Sequence, residues 1–361
     1  MSPTSSAPSA ADEPHVASGD HDHSASDDVR RAIDAAGGLL RFDKFVEIAL
    51  YGTHGFYRVA GRAGRRGDFL TSPEVGPLFG AVVARALDSW WHELGRPAPF
   101  VVVDAGAGPG TLARAVLAAR PGCSAAMRYV AVEISEAQRA MHPVGIESRV
   151  DMPSERFTGV IIANELLDNL PFRLFVFNDG WREAFVSYDP QGERFVERLA
   201  ASDAPAIHLP AAPAHGARVA VCEQASAWVR ASLDSLVAGR LVLFDYCTTT
   251  SSMALRPWRE WLRTYTGHER GAHYLSAVGE QDITIEVPLD QLPSVDTVST
   301  QAEFLASHGI DALVEEGRVV WEKSVSSPDV AAMTMRSRVR EAEALLDAAG
   351  LGAFSVAQWR R

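Results

Sequence analysis

The chain has 361 residues, 47% of them hydrophobic, and a formal net charge of −12. That is enough apolar material for one large domain or two modest ones, and the acidic balance argues against nonspecific nucleic-acid binding, which needs a basic footprint. No apolar run reaches the length of a membrane span, and the first residues lack the basic start and apolar block of a secretory signal.

Residues 1–27 are rich in Ser, Ala, Asp, Pro and His and read as a disordered tail, with His15, His21 and His23 solvated rather than metal-bound. Asp28 to Tyr51 carries a helical pattern through Ile33, Leu40, Phe42, Phe45, Ile48 and Ala49. The basic, glycine-rich segment Gly61 to Gly67 reads as a mobile loop. Ser72 and Pro73 then predict an N-cap and first turn. The helix they open places Phe79, Val82, Val83, Ala86, Leu87, Trp90 and Trp91 on one core face, where the aromatics pack rather than stack on a ligand.

The next segment carries the chemistry. Three β-prone residues, Val101 to Val103, run into Asp104; Gly106, Gly108 and Gly110 alternate; an Ala/Leu/Arg helix follows; and a second apolar run, Tyr129 to Val132, ends at Glu133. A strand, a glycine turn, a helix and a strand tipped by a carboxylate wrap a nucleoside at the carboxyl edge of a parallel sheet. The fold class is therefore α/β, with a Rossmann-like core. Glycines let a ligand lie against bare backbone, the helix N-terminus points N–H groups at it, and the Glu133 carboxylate can accept from both ribose hydroxyls. The same parts serve NAD and S-adenosyl-L-methionine. Here the spacing is G-x-G-x-G rather than G-x-G-x-x-G, and Asp104 just before the first glycine repels a pyrophosphate but suits the ammonium of a methionine. The expected cofactor is S-adenosyl-L-methionine, held by Asp104, Gly106, Gly108, Gly110 and Glu133.

Gly159 to Ala163 predicts a buried strand ending in Asn164-Glu165-Leu-Leu-Asp168-Asn169. Leu174 to Val186 alternates around Asn178-Asp-Gly180, a hairpin pattern. Glu223 to Ala238 reads as helix, and Leu241 to Asp245 as a strand with Tyr246 after it. Thr300 and Glu303 form a capping box, Val330 to Ala349 a long helix, and Phe354 to Trp359 a short closing strand. Cys123, Cys222 and Cys247 lie far apart, outside any metal spacing, and suggest buried thiols in a reduced, cytoplasmic protein. The polar block Gly279 to Asp282, after His268 and His273, has no compact ligand spacing, so no metal is expected.

Five blocks occur in order: Gly67 to Val75, Asp104 to Leu112, Ala163 to Phe172, Phe244 to Tyr246, and Gly279 to Thr284. Together, over roughly residues 38 to 320, they resemble the MidA-like family of S-adenosylmethionine-dependent methyltransferases, whose mitochondrial members act in respiratory complex I assembly as protein-arginine methyltransferases. The resemblance implies a class I methyltransferase core with a mixed, mostly parallel sheet. Residues 28–98 are expected as an N-terminal helical or lid segment and residues 99–361 as the methyltransferase domain, with substrate-side insertions at about 170–221 and 256–298. The resemblance also implies a protein substrate, with a complex I subunit as one candidate. The chain departs from the family at Asp104, usually Glu; at Pro109; at Cys247, where Gly is usual; and over Ile285 to Pro288. The last two leave the acceptor open.

Methyl transfer from a sulfonium needs nucleophile, carbon and sulfur held in line. A guanidinium acceptor arrives protonated and needs carboxylates to clamp it. Glu165 and Asp168, with Asn164, are the first candidates for that role; Asp68, Thr71, Ser72 and Glu74 are candidates for contact with the substrate. Glu74 could equally serve the helix dipole, Asp168 could cap a short helix with Asn169, and Asp245 and Tyr246 could simply finish a strand. A cofactor-binding assembly factor without catalysis and a small-molecule methyltransferase remain alternatives.

Overall fold

A computed structural model describes residues 24–59, 71–203, 205, 207–267 and 269–361. The central sheet has seven strands. Phe100–Ala105 lies in its middle, parallel to Met127–Val132 on one side and to Phe157–Asn164 on the other. Glu147–Arg149 extends the sheet beyond Met127–Val132, and Leu236–Asp245 extends it beyond Phe157–Asn164, all parallel. Ser355–Arg360 then pairs antiparallel with Leu236–Asp245, and Thr297–Thr300 pairs antiparallel with Ser355–Arg360. The parallel strands run outward in opposite directions from Phe100–Ala105. That reversal opens a crevice at their carboxyl ends.

The strands are apolar on both faces, as burial by layers on each side requires. Phe100, Val102, Val160, Ile162, Val242 and Phe244 face one core, shared with helix Pro77–Glu93, helix Thr111–Ala119 and the C-terminal helices. Val101, Val103, Ala105, Ile161, Ala163, Leu241 and Leu243 face the other. The C-terminal helices Ile310–Ser324 and Val330–Leu346 pack on each other and on Pro77–Glu93.

The second core merges with an antiparallel layer. The hairpin expected around Asn178-Asp-Gly180 forms between Arg173–Phe177 and Trp181–Asp189; Asp179 and Gly180 take φ of 52° and 129° in its turn. Arg218–Val221 pairs with the first of these strands, and Arg194–Ala200 and Leu40–Arg41 with the second. Leu40–Arg41 therefore joins one sheet with strands drawn from residues 173–221. A further small sheet pairs Leu262–Thr266 with Asp282–Ile285.

Several boundaries differ from the sequence reading; the helix expected over Glu223 to Ala238 ends at Ser235, and the strand after it starts at Leu236 rather than Leu241. The first helix is Ala25–Ala35, opened by a reciprocal Ser24–Asp27 capping box, so the end of the expected tail is structured; the rest of that tail lies outside the described residues. The pattern from Asp28 to Tyr51 is broken by a turn at Gly37 and Gly38, both with positive φ, before a second helix, Phe42–Tyr51. The helix expected from Ser72 is two: Ser72–Val75, with Thr71 rather than Ser72 at its N-cap, and Pro77–Glu93. Between them sits Gly76, where an added Cβ would fall 2.2 Å from the Glu341 carboxyl carbon. Glu341 accepts from the Leu78 N–H at 2.8 Å, so a carboxylate from the C-terminal helix caps this helix from outside. The capping box at Thr300 and Glu303, the long helix and the closing strand form as expected.

Candidate active site

A cavity of about 520 Å³ opens at the carboxyl ends of the parallel strands, within the ~300–1,000 Å³ usual for small-molecule sites. Its floor is the glycine turn. Gly106, Gly108 and Gly110 have φ of 71°, 53° and 78°, the left-handed region that disfavours a side chain. A Cβ at Gly106 would crowd Leu166, itself a cavity residue, at 3.1 Å. The turn is tied to the neighbouring strand by Gly106 and Ala107 N–H groups donating to the Val132 carbonyl at 2.9 and 3.0 Å.

The two expected carboxylates flank this turn. Glu133 follows its strand and accepts from Gly108 N–H at 3.0 Å and Ser135 N–H at 2.8 Å, with its side chain at the cavity. Asp104 also lines the cavity but is 3% exposed, and it accepts from the Tyr129 hydroxyl at 2.9 Å. Burial pushes its pKa up to about 7, against the pull of Tyr129. The lining residues that sequence reasoning missed here are Gln138, Asp151, Met152 and Trp228, which come from separate loops and helices. Bare backbone, acceptors at both ends and an apolar flank fit a nucleoside carrying an amino-acid arm.

The other end of the cavity is acidic and aromatic. Asn164 and Glu165 sit at the tip of Phe157–Asn164, and both line the cavity. Glu165 holds φ at 49°, a strained conformation for a side chain of its size. Its N–H donates to Phe244 C=O at 2.8 Å, and its carboxylate accepts from the Asn164 amide at 3.1 Å. Burial, then the charges of Asp168 and Glu74, raise its pKa to about 8. Thr71 and Glu74 line the same wall.

Other expected site residues lie elsewhere. Asp168 does not line the cavity; it is 4% exposed and accepts from Thr284 Oγ1 at 2.5 Å, because the Leu167–Asn169 turn aims it into the protein. Burial raises its pKa to about 6. Ser72 is fully buried and donates to Gln301 at 2.8 Å, which holds the Thr71–Glu74 segment from behind. Asp245 is buried too, accepting from Leu167 N–H at 3.0 Å and Tyr246 N–H at 2.9 Å, so it fixes the turn rather than meeting a ligand. Asp68 and the Gly61 to Gly67 loop lie outside the described residues, as does His268. Among the described residues no group of His, Cys, Asp and Glu is placed to hold a metal, and no helix is long and apolar enough to cross a membrane.

Comparison with known proteins bears on the cofactor. A family model described as "Putative S-adenosyl-L-methionine-dependent methyltransferase" matches residues 82–307, more than half of the chain. The "Protein arginine methyltransferase NDUFAF7, mitochondrial" of Mus musculus is 26% identical over 326 residues, which cover 77% of this chain and 72% of that protein. The Drosophila melanogaster homolog is 49% identical over a 63-residue stretch, 18% of this chain and 14% of that one. A Burkholderia thailandensis protein crystallised with S-adenosyl-homocysteine superposes with a TM-score of 0.79 at 26% identity, covering 93% of this chain and 92% of that one. These relatives overturn the expected cytoplasmic location, since the curated animal proteins are mitochondrial by name. The described cysteines are unpaired, with Cys123 and Cys222 buried. Given a family match over most of its length and a glycine-floored cavity at the switch in strand order, the chain belongs to this family of S-adenosyl-L-methionine-dependent methyltransferases.

Proposed function

We propose that the methyl acceptor is a guanidinium nitrogen of a protein arginine. The observation that carries this reading is the pairing of Glu165 and Glu74 on one wall of the cavity, beside the glycine turn. Burial, then the charges of Asp168 and Glu74, disfavour ionisation of Glu165. An arriving guanidinium relieves that repulsion, draws Glu165 into its ionised form, and is fixed by its planar fork of donors. The names of the NDUFAF7 relatives support the same substrate class.

S-adenosyl-L-methionine supplies a methyl group activated on a sulfonium. Glu133 would hold the ribose and Asp104 the ammonium, a reading supported by both lining the cavity. At the acceptor end, Glu165 and Asn164 orient the guanidinium so that one nitrogen faces the methyl carbon. When bound, the cofactor would supply its methyl group to that nitrogen and would keep the electron pair of the broken carbon–sulfur bond on sulfur. Glu165 then takes the proton lost from the nitrogen. A subunit of respiratory complex I, implied by the family resemblance, is the first protein to test as acceptor.

The test is transfer of labelled methyl to an arginine-containing peptide, with S-adenosyl-homocysteine binding measured alongside. Glu165→Gln is expected to lower kcat by about 10²–10⁴-fold, the range for loss of a positioned base, with binding retained. Methylation of another residue type, or undiminished transfer by the variant, refutes this assignment.

A further inference from the structure

Asp282 belongs to the Gly279 to Thr284 block, one of the five that carry the family resemblance. It is 2% exposed and does not line the cavity, yet its donors do. The Tyr57 hydroxyl donates to it at 3.0 Å, and the Asn169 amide donates to its two oxygens at 3.0 and 3.2 Å. Its own Oδ1 also accepts from Ile283 N–H at 2.9 Å. Tyr57 and Asn169 both line the cavity, and they are separated by more than a hundred residues.

The contacts close into a ring. Tyr51, another lining residue, donates its hydroxyl to the Asn169 carbonyl at 3.1 Å. Its ring stacks on that of Tyr57, with centroids 5.5 Å apart and planes 17° from parallel. Both phenols are thus anchored at their oxygens, one through Asp282 and one directly. A carboxyl group suits position 282: Oδ1 accepts from the hydroxyl, the amide NH₂ and the backbone N–H together, and Oδ2 faces the same Asn169 amide, where the NH₂ of an Asn would meet it donor to donor.

Resting on the arginine reading above, we propose that Asp282 is a positioning residue for the methyl acceptor: it locks Tyr57 and Asn169 so that the stacked tyrosines form a flat wall for a guanidinium opposite Glu165. A planar, weakly hydrated cation gains from an aromatic surface. A wall whose side chains are already fixed loses little freedom when the cation arrives.

The experiment measures methyl transfer to an arginine-containing peptide at saturating cofactor, with calorimetry of S-adenosyl-homocysteine on the same proteins. Asp282→Asn and Tyr57→Phe are each expected to raise the peptide KM about tenfold, roughly one hydrogen bond's worth of ordering, with a smaller change in kcat and unchanged cofactor affinity. The exchange variant, Asp282→Asn with Asn169→Asp, restores a donor facing an acceptor and is expected to recover most of the loss. Should Asp282→Asn fail to fold by circular dichroism, Tyr57→Phe and the exchange variant carry the test. A wild-type-like KM in the folded variants overturns the positioning role, as does a parallel loss of cofactor affinity. A wild-type protein that methylates no arginine in the peptide overturns the arginine reading, and this assignment falls with it.

Discussion

At one end of the cavity a ligand meets backbone: three left-handed glycines, the N–H groups around them, and two carboxylates on neighbouring strand ends. Elsewhere on its lining it meets side chains, among them Glu165, Glu74, Tyr51, Tyr57 and Asn169, gathered from distant parts of the chain. The first end is stiff because the sheet fixes it. The second depends on buried partners that never touch the ligand, such as Asp282 behind Tyr57 and Gln301 behind Ser72. A backbone site recognises a shape shared by one cofactor. A side-chain site can be changed piece by piece, which suits it to the acceptor.

The largest expected effect tests the stiff end. Gly106→Val puts a β-branched residue at φ 71° and crowds Leu166; it is expected to weaken S-adenosyl-homocysteine binding by more than about 100-fold, following the cost of a left-handed conformation and of lost contact. Calorimetry that finds affinity intact breaks the contrast between the two ends.

A pH series sharpens it. Asp104 and Asp282 stand near 7 and Glu165 near 8, all raised by burial. Between their ordinary values and these raised ones the folded protein holds protons that the unfolded chain releases, so stability falls as pH rises through that window. The ligand-free protein is therefore expected to melt at lower temperature at about pH 8.5 than at about pH 6. An ammonium beside Asp104 favours its ionised form, so S-adenosyl-homocysteine affinity should climb as pH rises through about 7, by up to tenfold per unit below it. Asp104→Asn is expected to flatten that climb; a thermal-shift series that keeps its slope in the variant removes Asp104 from the ammonium site.

The smallest effect concerns the supported end. Glu341→Ala leaves the Leu78 N–H without its carboxylate and opens space beside Gly76. Urea unfolding is expected to show a loss of about 1–3 kcal/mol, the cost of stranding a buried donor. The acceptor KM should move more than the cofactor affinity, because Gly76 directly follows the Thr71–Val75 wall. Equal movement of both would show that the two ends are not separable.

The same contrast decides what could be read from the sequence. The glycine turn and its carboxylates lie within a short contiguous stretch whose periodicity and punctuation are local, and so do the Asn178 hairpin, the Thr300 capping box and the closing strand. The acceptor end was legible only in part. Asn164 and Glu165 could be found because they follow a strand in the apolar core. Asp168 could not be told from them, since the Leu167–Asn169 turn, not residue type, rotates it away from the cavity. Tyr51, Tyr57 and Asn169 were invisible as a set, because nothing along the chain says that Asp282 will meet them. The break at Gly76 has a local cause that the sequence does carry: Gly76 precedes Pro77, which holds the residue before it out of the helical region and opens the next helix.

The place of Ser355–Arg360 has a consequence for how the molecule is made. This late segment sits between two earlier strands, Leu236–Asp245 and Thr297–Thr300. While the protein is being synthesised, Leu236–Asp245 emerges long before the neighbour that will cover it. Until then its outer rim offers unpaired amides and carbonyls, a template for any other extended chain nearby. The sheet can be finished only once Ser355–Arg360 has been made, and until then this edge is open to pairing with other chains.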